Sequence, residues 1–175
     1  LALADPALQA TISDLEFAST LLVLGTEPLD DAPALDLRIR KGVRRNNVKL
    51  VVASARPSAL DANAAHVLRL APGDEPRAAA LIASALNGGD VPAEIAAVAD
   101  LLKSGGDDVV VLYGDRVLAD AAGGAALVSI ASSLSLSHRE GGGLLGVPSF
   151  ANGRGLSEAG LLPFAGPGYT DAAGA

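Results

Sequence analysis

Thr20-Leu-Leu-Val-Leu-Gly25 opens the stretch whose reading decides the fold. An apolar run without polar alternation, closed by a glycine, reads as a parallel strand covered on both faces. Thr26-Glu-Pro-Leu-Asp-Asp-Ala-Pro33 follows as a turn. In Ala34-Leu-Asp-Leu-Arg-Ile-Arg-Lys-Gly-Val-Arg-Arg45, Leu35, Ile39 and Val43 then recur at i, i+4 and i+8, on one face of a helix. Asp30 or Asp31 is expected to cap the free amides, and Pro33 suits the first turn. Arg44 and Arg45 suit the negative end of the helix dipole. Val48-Lys-Leu-Val-Val-Ala53 is the next strand. Strand, loop, helix and strand make one βαβ crossover, which sets a loop at the carboxyl edge of the sheet, where such folds bind ligands.

Working outward, Ala10 to Ala18 reads as a short helix, with Thr11 or Ser13 as cap and Ile12, Leu15 and Phe17 facing inward. Ser54-Ala-Arg-Pro-Ser58 follows the second strand, so it lies at the same sheet edge as Thr26-Glu27-Pro28, and the two loops converge on one crevice. Leu60 to Ala65 is ambiguous, and His66 to Leu70 is a third, shorter strand. Asp74 caps and Pro76 opens a helix that runs through Arg77 to Leu86 and stops at Asn87-Gly-Gly89. Pro92 to Lys103 is another helix, and Asp108 to Tyr113 a fourth buried strand. Residues 116–136 read as mostly helical, with a break or two abutting helices expected at Gly123-Gly124, since two interior glycines lose about 2 kcal/mol relative to alanine. From His138 onward Gly, Pro, Ser and Asn dominate and extended coil is expected. The alternation of strands and helices predicts an α/β domain over residues 1–137, three-layered and Rossmann-like with a mainly parallel sheet. Residues 138–175 form a Gly/Pro-rich extended tail packing on the same domain.

Half of the 175 residues are hydrophobic but only 3% are aromatic, so the core is built of Leu, Val, Ile and Ala. The net charge of −7 and the pI near 4.7 argue against broad binding of nucleic acid or anionic membrane. Arg38 to Arg45 reads as the solvated face and dipole end of one helix. Cysteine is absent, which removes disulfides, thiolate nucleophiles and Cys-bound clusters or zinc from this stretch. No apolar run reaches the roughly 18 residues of a membrane span. Leu1-Ala-Leu-Ala-Asp-Pro6 lacks the charged start of a signal peptide. A chain that starts at Leu and contains no Met is expected to be a piece of a larger parent.

Gly141-Gly-Gly-Leu-Leu-Gly146 matches the Gly-x-Gly-x-x-Gly spacing, but a helix precedes it and Val147-Pro148 follows, whereas the dinucleotide motif needs a strand before and a helix after. Glu27, Asp30 and Asp31 cluster at the sheet edge and could ligate a cation, although capping accounts for the aspartates. His66 and His138 stand alone, and no Ser–His–acid set supports nucleophilic catalysis. Arg56 could fork onto a phosphate, or form a surface ion pair. No catalytic residue and no metal ligand is assigned.

Four ordered pieces carry a resemblance: Leu22-Val-Leu-Gly-Thr-Glu-Pro28, Val51-Val-Ala-Ser-Ala-Arg56, Leu70-Ala-Pro-Gly-Asp-Glu75, and Asn152-Gly-Arg-Gly-Leu-Ser-Glu-Ala-Gly-Leu-Leu-Pro163 with Gly166-Pro-Gly-Tyr169. Their order over roughly residues 10–170 resembles the molybdopterin oxidoreductase superfamily. Within it, Gly25-Thr-Glu-Pro28, Leu35 to Lys41 and Asn152-Gly-Arg-Gly155 look like the large iron–sulfur subunits of the proton-pumping NADH–quinone oxidoreductase (NADH dehydrogenase, respiratory complex I). The resemblance implies a parent with cysteine-bound iron–sulfur clusters in a missing N-terminal part. It also implies contacts with other subunits of the peripheral arm, and a place on the bacterial cytoplasmic side without membrane insertion. Active members of the superfamily hold a guanine dinucleotide cofactor with Asn before the first-loop proline, Asp-Pro-Arg after the second strand, and Thr-Asp after Pro-Gly. Here those positions carry Glu27, Ser54 and Ala55 before Arg56, and Asp74-Glu75. The resemblance thus implies a vestigial pocket at Glu27, Ser54, Arg56 and Glu75, and a structural domain that binds no cofactor. The alternatives are an active molybdopterin guanine dinucleotide domain of a molybdenum or tungsten oxidoreductase, and a free-standing nucleotide-binding domain.

Overall fold

In the computed structural model, which describes residues 2–149 and 152–159, the unbroken apolar runs are strands. They are Thr20–Leu24 (β1), Lys49–Ser54 (β2), His66–Arg69 (β3), Val109–Gly114 (β4) and Gly143–Val147 (β5), all parallel, in the order β3-β2-β1-β4-β5. Successive side chains leave opposite faces of a strand. Leu22, Leu24, Val51, Val109 and Val111 therefore join one core with helices Glu75–Leu86 (α4), Ala93–Ser104 (α5) and Ala121–Ser133 (α6). Leu21, Val23, Leu50, Val52, Val110 and Leu112 join a second core with Leu15 of Asp14–Phe17 (α1) and Ile39 of Pro33–Asn46 (α3). Both faces of β1, β2 and β4 are covered, which explains the missing alternation and gives the three-layer α/β architecture. Each fully buried Leu or Ile contributes about 1.5–3 kcal/mol. Alanine does a different job where α4 meets α6: Ala78, Ala79, Ala83, Ala126 and Ala131 are buried small residues that let two helices lie close.

The first crossover runs from β1 through a single turn, Pro28–Asp31 (α2), and then α3 into β2. β2 reaches β3 with only a 3-10 turn at Asp61–Asn63, after which α4 and α5 carry the chain across to β4 on the other side of β1. The chain therefore departs from β1 in opposite directions on its two flanks. This makes the carboxyl ends of β1 and β4 the switch point of the sheet.

Four expectations are corrected. Ile12 and Phe17 are exposed rather than inward, because α1 turns Leu15 and Glu16 to the body, where Glu16 meets two cations of α3. The expected side-chain caps are not made: Asp31 Oδ2 accepts from Thr26 Oγ1 at 2.7 Å and from the Glu27 amide at 3.1 Å, Asp30 pairs with Arg56, and neither Ser13 at α1 nor Asp74 at α4 makes a side-chain cap bond. The helix from Ala121 is unbroken at Gly123-Gly124. Both glycines fall in its first turn, with Asp120 Oδ1 accepting from the Gly123 amide at 2.8 Å, so little helical bonding is at stake there.

The fourth correction is β5, a strand within the segment expected to be coil. Its glycines permit backbone approach: a Cβ on Gly143, at φ +141°, would stand 2.7 Å from the Leu8 carbonyl, and the Ala10 amide donates to Leu144 O at 2.9 Å. Residues 153–158 are helical (α7, Gly153–Glu158). The quoted Gly166-Pro-Gly-Tyr169, and the Gly160 to Pro163 end of the preceding piece, lie outside the described residues.

Candidate functional site

The crevice expected at the carboxyl edge is bounded by the loop after β1, the loop after β2, the start of α4 and the turn after β4. Gly25 leaves β1 at φ +65°, a conformation that glycine takes without strain. A Cβ there would lie 2.9 Å from Val117 Cγ2 and 3.2 Å from Glu75 Cγ. Across the switch point, a Cβ on Gly114 would lie 2.5 Å from the Gly25 carbonyl oxygen and 2.9 Å from Thr26 Cβ. The loops after β1 and β4 are thus in backbone contact, and the Glu75 and Val117 side chains fill the space beside them. Glu75 and Glu27 are both buried, and Glu27 Oε1 has no hydrogen-bond partner.

The loop after β2 is held by Arg69, an arginine that no sequence pattern singles out. From the end of β3 it donates to Ser54 Oγ at 2.7 Å, to the Arg56 carbonyl, and to Asp61 Oδ2 at 2.7 Å. Ser54 Oγ itself donates to the Arg56 carbonyl at 2.7 Å. The Arg56 guanidinium faces the other loop and meets Asp30 Oδ2 at 2.9 Å, with both side chains more than half exposed. The two loops therefore do converge, as expected, and the Arg56–Asp30 ion pair joins them. Four candidate positions fall at this edge: Glu27, Ser54, Arg56 and Glu75.

Below them, Arg40 grips buried Asp36 in a fork, Nε to Oδ2 at 2.7 Å and Nη2 to Oδ1 at 3.1 Å. It also reaches Asn63 Oδ1 at 3.0 Å and the Ala59 carbonyl at 2.8 Å. The Asp36 hydrogen bonds, joined by the charges of Asp36 and Glu27, hold the guanidinium above its ordinary value against the opposing effect of burial. The i, i+4 spacing of Asp36 and Arg40 was a visible signal for half of this cluster. Nothing in the sequence announced Asn63 or Ala59.

The remaining candidates lie apart. His66 Nε2 is buried without a partner on β3, and the His138 amide donates to the Ala7 carbonyl at 2.7 Å from a left-handed backbone. Gly143 to Gly146 belong to β5, so the glycine-rich spacing is a strand and not a phosphate loop. A depression of about 430 Å³, lined by Leu8, Ser132, Ser135 and His138 among others, opens at the end of α6, at the amino edge of the sheet and opposite the crevice. Among the described residues no three His, Asp or Glu side chains are grouped as a metal site, and no helix is long and apolar enough to cross a membrane.

No protein-family model matches the chain. In fold it is similar to a chain of the formyltransferase/hydrolase complex of Methylorubrum extorquens, with a TM-score of 0.68 at 18% identity over 95% of this chain and 47% of that one. In sequence it is 34% identical over 157 residues to the G subunit of NADH-quinone oxidoreductase from Mycobacterium bovis, and 33% identical over 162 residues to that from Streptomyces coelicolor. These matches take in 89% and 90% of the chain but only 17% and 18% of the relatives' own lengths. The ordered loops, the parallel sheet and these identities agree, and the chain is homologous to one segment of the G subunits of NADH-quinone oxidoreductase.

Proposed function

We propose that the chain is a non-catalytic structural domain of the large iron–sulfur subunit of a proton-pumping NADH-quinone oxidoreductase. In this reading it shields and positions the electron-transfer part of the peripheral arm, on the cytoplasmic side of a bacterial inner membrane and among the other subunits of that arm. The observation that carries the reading is the closed switch point. A guanine dinucleotide arm needs amides or cations facing its phosphates. Here the loops after β1 and β4 touch through Gly25 and Gly114, and the acids Glu27 and Glu75 are buried beside them. Ser54 is taken up by Arg69, and Arg56 by Asp30. The residues present do not fit a pterin guanine dinucleotide, and no step of a reaction is assigned to them. Iron–sulfur clusters belong, on this reading, to other parts of the parent, because these 175 residues include no cysteine.

The test is elemental analysis of the natively purified full-length parent. Iron without molybdenum or tungsten is expected. Stoichiometric molybdenum or tungsten overturns the reading in favour of an active molybdopterin enzyme.

A further inference from the structure

Charge and apolar exposure are unevenly spread over this molecule. The chain carries 20 acidic and 13 basic residues, yet the outer side of α3 displays Arg38, Lys41, Arg44 and Arg45. The helix's own acid, Asp36, is turned inward and neutralised by Arg40. One acid approaches from α1: Glu16, which takes Lys41 Nζ at 2.6 Å and also Arg38. A single carboxylate against two cations leaves this cluster positive, and Arg44 and Arg45 have no ion-pair partner among the described residues. The two most exposed large apolar side chains of the described residues adjoin members of this cluster in sequence. Leu37 at 69% adjoins Arg38 in sequence, and Phe17 at 68% adjoins Glu16.

The two helices are also in close contact. α1 lies directly on α3, where a Cβ on Gly42 would stand 2.8 Å from the Leu15 carbonyl, and Asn46 Nδ2 donates to the Glu16 carbonyl at 2.7 Å. An exposed aromatic side chain beside arginines matches the residues enriched at protein interfaces.

We propose that the α1–α3 face, centred on Phe17, Leu37, Arg44 and Arg45, docks an acidic protein surface of a neighbouring subunit. This rests on the reading of the chain as part of a multi-subunit complex. Extended polyanions are disfavoured because the domain as a whole is at −7. A bilayer is disfavoured because the apolar stripe of α3, with Ile39 at its centre, is buried on the sheet and unavailable for insertion. A local acidic protein face meets the positive patch without engaging the rest of the domain.

The test uses the full-length subunit, with Leu37→Cys and Phe17→Cys as probe sites and exposed Leu118→Cys as control. N-ethylmaleimide labelling is read by peptide mass spectrometry in the assembled complex and in the isolated subunit. Labelling at the two probe sites is expected to fall about tenfold on assembly, equivalent to about 1.4 kcal/mol of protection, and to stay level at the control. In parallel, Arg44→Lys supplies an amine for carbodiimide coupling, and a cross-link to an Asp or Glu of another subunit is expected. Equal labelling with no intersubunit cross-link overturns the proposal. So does protection that appears only on adding phosphatidylglycerol vesicles or RNA. If the subunit fails to co-purify with the complex, the wider reading falls as well; if it co-purifies with both probe sites open, the docking surface alone is wrong.

Discussion

At Gly114 a methyl group would strike the backbone of the neighbouring loop, only 2.5 Å from the Gly25 carbonyl oxygen. Gly114→Ala is expected to lower stability by about 1–3 kcal/mol through forced displacement of one loop, read as a lower urea midpoint. Glu16 makes a prediction in pH. Its hydrogen bonds to Lys41 and then to Arg38 hold its carboxyl below the ordinary value of 4.5. The folded state therefore gives up this proton more readily than the unfolded state does. The stabilisation is complete above the ordinary value and is lost as pH falls through the folded one. Glu16→Gln should flatten that part of the acid-unfolding profile, as followed by circular dichroism. The sequence was informative about which residues gather at the sheet edge, because loop position places Glu27, Ser54 and Arg56 there, whereas Glu75 was indicated only by the resemblance to the superfamily's third loop. It was silent on their partners. That Arg69 holds Ser54, and Asp31 holds Thr26, depends on distances between side chains that no local pattern encodes.

At the scale of elements, α6 offers a paired comparison. A Cβ on Gly123 would lie 1.8 Å from the Val117 carbonyl oxygen, whereas one on Gly124 meets only Leu3 and Leu118 side-chain atoms at 3.7 and 3.8 Å. Gly124→Ala should stabilise by about 0.5–1 kcal/mol through helix propensity and a less flexible unfolded chain. Gly123→Ala should instead destabilise, both read from thermal melts. The connection from β2 to β3 contains no α-helix and depends on Arg69, so Arg69→Ala should speed amide exchange over residues 55–64 by about tenfold or more, leaving β1 and β4 protected. β1, β2 and β4 were legible because a strand buried on both faces has a distinctive unbroken apolar run. β5 was not, since glycines that serve close backbone approach look the same in sequence as glycines that serve a flexible coil. The turn that displaced the expected cap of α3 was hidden for a related reason: an Asp can serve the turn behind it as readily as the helix ahead.

At the scale of the whole molecule, the sheet is assembled from its middle. β1 pairs with β2 across one crossover, but its other edge waits for β4, about 85 residues later. A chain ending at Ser104 retains β1, β2 and β3 and lacks the strand that covers Leu22 and Val23 from the far side. It should sediment as aggregate at concentrations where the full 175 residues stay in solution, because an open apolar strand edge templates further pairing. The strand order also has a meaning in time. At about 5–20 residues per second of synthesis, the strand that ends as the best-protected in the fold spends about 4–17 s as a border of the growing chain, and a cell that makes this domain must tolerate or shield that interval.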